Sequence, residues 1–164
     1  MAEQGTILET VMHLQCLSIE TYKFVGLKLL EFTGALEEVG LFFCVLSEKK
    51  QEGYTRLFQL LEDHFQCGFI LFTKPLKPLR WEGALKAMED ALDLEKRLEM
   101  VLRIVYFQAS DYEQSDLCDF FKTHFLEGEQ KVLEEMQAHL GTVLSLEAQQ
   151  EQSQHLQFSL QPKD

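Results

Sequence analysis

Four proline-free stretches of this chain carry apolar residues at helical spacing, and each apolar stripe is broken near its middle by polar side chains. The stripes run Leu8, Val11, Gln15, Ser18, Tyr22, Val25, Leu29; then Leu36, Val39, Phe43, Leu46, Lys50, Gly53, Leu57, Leu60. The third runs Met88, Ala91, Glu95, Leu98, Leu102, Val105, and the fourth Phe121, Phe125, Glu129, Val132, Met136, Val143. Prolines occur only at Pro75, Pro78 and Pro162, so helix periodicity continues undisturbed elsewhere. The spacing predicts helices at about 5–30, 36–64, 84–108 and 115–146. Four helices that each turn one polar layer inward describe a bundle with a buried polar site, and the cation Lys50 is the member that fits least with an apolar core.

The connections set the topology. Short links around Glu31–Ala35 and Ala109–Gln114 imply antiparallel neighbours within each pair. The stretch from Phe65 to Gly83 carries Gly68, Pro75 and Pro78, and an extended chain at roughly 3.3 Å per residue crosses the ~40 Å length of such a helix. The expected fold is therefore all-α: a four-helix bundle of two hairpins joined by one long crossover. Residues 1–146 form the bundle, and 147–164 form a Gln-rich tail that reads as a weak short helix or a disordered segment.

A chain of 164 residues supports one core, burying roughly two-thirds of its unfolded surface. No apolar run approaches the roughly 18 residues of a membrane helix, and MAEQGTILET does not read as a signal segment, so the expected compartment is the cytoplasm with no membrane partner. A net charge of −12, with no basic stripe, argues against nucleic acid. Cys16, Cys44, Cys67 and Cys118 form no CxxC pair, which points to reduced thiols rather than zinc or disulfides. Cys118, in the first turn after the expected N-cap Ser115, is placed where a helix dipole favours thiolate. Phosphate loops, GxSxG elbows and HExxH sequences do not occur.

Bundles that bind two metal ions take glutamates from two helices and Glu-x-x-His pairs from the others. None of the five histidines has a glutamate three positions before it. Where such a pair would fall on the second helix stand Lys50 and Gly53, which offer a positive charge and no side chain. Gln15, Tyr22, Glu95 and Glu129 remain as polar members of the layer. Two facing buried carboxylates repel each other, and Lys50 between them converts that repulsion into an ion pair, so Lys50, Glu95 and Glu129 read as a structural replacement for metal.

These residues carry a resemblance. FFCVLSEKKQEGYTRL from Phe42, AMEDALDLEKRL from Ala87, LCDFFKTHFLEGE from Leu117 and GALEEVGLFF from Gly34 resemble the ferritin family, most closely its light-chain branch, over about Leu8 to Leu146. The resemblance implies a ferritin-like bundle and a role in iron storage. The family's oxidising, heavy-type subunit has glutamate at the position of Gln15, tyrosine at Tyr22, glutamate at Lys50, histidine at Gly53, glutamate at Glu95 and glutamine at Glu129. Only Tyr22 and Glu95 agree, and Lys50, Gly53 and Glu129 follow the light-type pattern, so the chain is expected not to be an enzyme.

Light-type subunits nucleate mineral on glutamates at the positions of Val45, Glu48, Lys49 and Glu52, of which Glu48 and Glu52 are acidic here. They read equally as a weak iron-nucleating pair or an ordinary solvated face. The family's iron-entry channel is acidic at the positions of Asp119 and Lys122. Candidate metal contacts are thus Glu48, Glu52, Glu95, Asp119 and Glu129, with ferric mineral as the cargo. The resemblance further implies a leader before the position of Met1 and a short fifth helix after a Gly/Pro turn at the four-fold axis. Neither is seen in the sequence, so the fifth helix is expected to be weak or absent. Two readings follow: a non-catalytic light-type subunit in a cage with itself or with ferroxidase subunits, or a divergent ferritin-like interaction protein that no longer stores iron and modulates cage assembly.

Overall fold

Helix boundaries fall where the side chains stop supporting the helical period. The computed structural model of the chain describes the backbone of residues 2–65 and 77–160 and the side chains of 7–63 and 77–154. Five α-helices are present among the described residues: α1 spans Ala2–Leu29, α2 Ala35–Phe65, α3 Ala84–Asp111, α4 Ser115–Phe121 and α5 Glu129–Leu160, with a π-helical turn at Lys122–Leu126. No strand occurs among the described residues.

The turn between α1 and α2 uses Gly34 at φ 79°, a conformation that costs glycine nothing, and Glu37 and Glu38 in the first turn of α2 suit the positive end of its dipole. α3 closes with Glu113 at φ 55°: the Gln114 N–H reaches the Ala109 carbonyl at 2.9 Å and the Glu113 N–H the Ser110 carbonyl at 3.1 Å. This is a Schellman closure without glycine, and it satisfies two end carbonyls before the chain reverses into α4.

Contacts between helices fix their directions. Along α1, Gln15, Ile19, Tyr22 and Gly26 meet Lys50, Ser47, Phe43 and Gly40 in turn, so α2 runs antiparallel to α1. Tyr22 bonds to Ala91 and Glu95 while Phe24 packs edge-on against Trp81, which makes α3 antiparallel to α1 as well. α2 and α3 are therefore parallel, as the long-crossover topology requires. Of that crossover, residues 66–76 and with them Cys67, Gly68 and Pro75 lie outside the described residues.

The four stripes supply the core. Val11, Tyr22 and Leu29 from α1, Phe43 and Leu57 from α2, Met88, Leu98 and Leu102 from α3, and Phe121 and Met136 from the last hairpin are fully or almost fully buried together. The helix expected over 115–146 differs in two ways. It breaks after Leu126: the Glu127 N–H bonds to the Lys122 carbonyl five residues back at 2.8 Å, Glu127 turns extended, and Gly128 takes φ 84°. A wider turn followed by a reset lets Phe121, Phe125 and Glu129 all face inward. At its other end α5 continues past residue 146 to Leu160, because Leu146–Gln152 contains strong helix formers and neither glycine nor proline. Among the described residues no helix is long and apolar enough to cross a membrane.

Candidate functional site

Three helices each place one inward charged side chain at the same level of the bundle. Lys50 lies one turn beyond Leu46 on α2, Glu95 one turn beyond Ala91 on α3, and Glu129 opens α5 directly after the Gly128 break. All three are buried, with Glu95 at 0% exposure. The Lys50 Nζ bonds to Glu95 Oε1 and lies 3.8 Å from Glu129 Oε2. The other oxygen of Glu95 accepts from the Tyr22 hydroxyl, which also lies 3.3 Å from the Ala91 carbonyl. Glu95 thus has a partner on each oxygen.

Electrostatics divide the two carboxyls. Burial pushes Glu95 upward, but the adjacent Lys50 ammonium and hydrogen bonds from Glu129, Lys50 and Tyr22 outweigh it and hold its carboxyl below the usual range. Glu129 is pushed up to about 9, first by burial and then by its hydrogen bond to Glu95, with Lys50 opposing. At neutral pH the cluster is therefore one carboxylate, one ammonium and one neutral carboxyl that donates its proton to Glu95. Tyr22 is held well above its ordinary value by burial and by the Glu95 charge, so it stays a phenol.

Gln15 and Gly53 complete the layer. Gln15 is buried and donates from Nε2 to the Lys50 carbonyl at 2.9 Å. Gly53 is closely flanked on one side: a Cβ would come within 2.9 Å of Gln15 Nε2 and 3.2 Å of Phe125 Cε1, so a side chain there requires both to shift. Phe125, carried inward by the π-helical turn, fills the space beside Gly53. Ser18 and Ser47 hide their hydroxyls on the Gln15 and Ile19 carbonyls at 2.7 and 2.8 Å. The roles of Phe125, Ser18 and Ser47 were not legible in the sequence. Gly53 inside a long apolar stripe is the signal that could have found the large side chain beside it.

The remaining candidates do not join this layer. Glu48 and Glu52 are exposed on α2 beside Lys49, and Asp119 is exposed on α4. Among the described residues, no three or more His, Cys, Asp and Glu side chains gather where they could hold a metal ion. Cys16, Cys44 and Cys118 are free thiols. The N-cap of α4 is Gln114 rather than Ser115, and Cys118 Sγ lies 3.7 Å from the Tyr106 carbonyl, so the thiol hydrogen-bonds back toward α3. His139 is half-buried, its ring tilted at 48° against that of Phe42 with centroids 4.6 Å apart.

The sequence has clear relatives among known proteins, although no protein-family profile matches it. Ferritin light chain 1 of Rattus norvegicus is 42% identical over 108 residues, 65% of this chain and 58% of that protein. Ferritin light chain of Felis catus is 37% identical over 141 residues, covering 85% of this chain and 78% of its own length, and that of Bos taurus is 34% identical over 146 residues, 88% and 82%. Measured against the Rattus norvegicus protein, the chain spans under two-thirds of its relative's length. The longer similarities extend across most of the helical bundle, and the fold agrees with them: the chain belongs to the ferritin family, as a divergent relative of its light chains.

Proposed function

We propose that this chain is a non-catalytic, light-type ferritin subunit that contributes to intracellular iron storage from within a cage of ferritin subunits. The observation that carries the reading is the Lys50–Glu95 ion pair at the level where the family resemblance implies an oxidising di-iron centre. That centre does not fit the residues present. An ammonium stands among the carboxyls, Gly53 offers no ligand, Phe125 fills the space beside it, and both oxygens of Glu95 are taken. The subunit would add shell and surface while a heavy-type partner performs oxidation, with Glu48, Glu52 and Asp119 as the exposed carboxylates available to ferric or incoming iron, in the cytoplasm.

A second reading, an interaction protein that modulates cage assembly without storing iron, is favoured by α5, which runs on to Leu160 without a turn. Co-expression with a heavy-type ferritin subunit, followed by native mass spectrometry and iron quantification, separates the two. The first reading expects mixed cages that retain iron. Cages that incorporate the chain but lose iron in proportion favour the second, and a chain that remains a monomer or dimer overturns the first.

A further inference from the structure

Where α2 passes α5 the bundle is not closed, and a cleft of about 570 Å³ runs from the surface down to the polar layer. Its size falls within the range of small-molecule sites, roughly 300–1,000 Å³. Leu41, Phe42, Val45 and Val132 form apolar walls, with Leu41 and Val45 half-exposed at 53% and 49%. Gln15 and Glu129, which also line it, each hold a buried oxygen without any hydrogen-bond partner, Oε1 in both cases. The residues themselves are only 1% and 6% exposed. A buried acceptor left unpaired costs about 1–3 kcal/mol, so two on one cleft mark a place where a donor is missing.

We propose that this cleft is a binding site for a neutral amphipathic molecule, whose hydroxyl or amide head donates to Gln15 Oε1 and Glu129 Oε1 and whose apolar body lies along Phe42, Val45 and Val132. Charge narrows the class. The unpaired atoms are acceptors, which disfavours an anionic head. The Lys50 ammonium, 3.8 Å from the other oxygen of Glu129, disfavours a cationic one. The rim mixes Lys49 and Lys131 with Glu38, Glu127 and Glu135, and so prefers neither sign. The cleft ends on the polar layer that the iron-storage reading invokes, but that reading needs no ligand there, so occupancy of the cleft is tested separately from iron storage.

Octan-1-ol, octylammonium and octanoate share one tail and differ in head, and titration of each into the full chain, followed by chemical-shift changes, tests the class. Octan-1-ol is expected to bind saturably, one per chain, with the two charged probes at least about tenfold weaker. Val45→Trp, which blocks the mouth from a half-exposed position, is expected to weaken octan-1-ol binding at least about tenfold without lowering the melting temperature. Equal binding of all three probes, or binding undiminished by Val45→Trp, would overturn the site. So would no saturable binding up to the solubility limit, in which case water alone meets the two oxygens.

Discussion

Removing the Lys50 side chain would leave Glu95 fully buried with only neutral donors, the Tyr22 hydroxyl and the Glu129 carboxyl, to stabilise its charge. Breaking a buried pair from one side costs about 3–5 kcal/mol, and Lys50→Ala is expected to lose that much in denaturant unfolding. Glu95 would then protonate to escape, so the loss should be larger at pH 8 than at pH 5. An unchanged midpoint would show that the ion pair contributes nothing. Glu129 obeys the opposite sign. Its folded value near 9 lies above the ordinary 4.5, so between those values the native state binds more protons than the unfolded state. Stability contributed by the protonated form is complete in acid and falls as pH rises, by at most about 1.4 kcal/mol per pH unit. Glu129→Gln keeps a donor toward Glu95 and has no proton to lose. Thermal unfolding from pH 5.5 to 8.5 should show a falling melting temperature for the parent chain and a flatter profile for the variant, whose advantage grows toward alkaline pH. Parallel profiles would place the Glu129 proton elsewhere.

Helices were legible wherever one period held, and less so where two elements share a stripe. The stripe through Phe121, Phe125 and Glu129 reads as one helix because its spacing is nearly regular, and the π-helical turn that actually separates α4 from α5 leaves these residues facing inward all the same. Glycines show the same ambiguity. Gly128 looks like a helix-interior cost but sets the break at φ 84°, whereas Gly40 and Gly26 mark the point where the α1 and α2 backbones touch. A Cβ on Gly40 would lie 2.9 Å from the Gly26 carbonyl oxygen and 3.0 Å from the Leu30 nitrogen, both backbone atoms that cannot swing aside. Gly141, inside α5, has nothing within 4 Å of a Cβ. Gly141→Ala should therefore stabilise by up to about 1 kcal/mol. Gly40→Ala should destabilise by about 1–3 kcal/mol, as overpacking outweighs propensity. Equal gains from both in thermal unfolding would mean that the two helices can separate at little cost.

For the whole molecule, the sequence conveyed the order and direction of the helices and the residues that share the polar layer, since both follow from period and link length. It did not convey how that layer is closed, because closure depends on distances between helices remote in sequence: Phe125 against Gly53, and Glu129 close enough to Glu95 to share a proton. This changes what restoring the oxidising pattern requires. The changes Gln15→Glu, Lys50→Glu and Gly53→His would supply the ligand types that the family resemblance implies, yet a side chain at position 53 meets Phe125 Cε1 at 3.2 Å from its first carbon onward. The imidazole is placed only if Phe125 and the side chain at position 15 shift from its Cβ, and without Lys50 the added carboxylates would repel one another. In stopped-flow measurements of anaerobic Fe(II) mixed with oxygen, the parent chain and the triple variant are both expected to remain at the buffer rate, the triple variant also melting lower. Adding Phe125→Ala opens the space that the introduced imidazole needs, and any recovered oxidation should appear only in that fourfold variant. Rapid oxidation by the parent chain would contradict the ion-pair reading, and rapid oxidation by the triple variant alone would show that Phe125 does not obstruct the introduced imidazole.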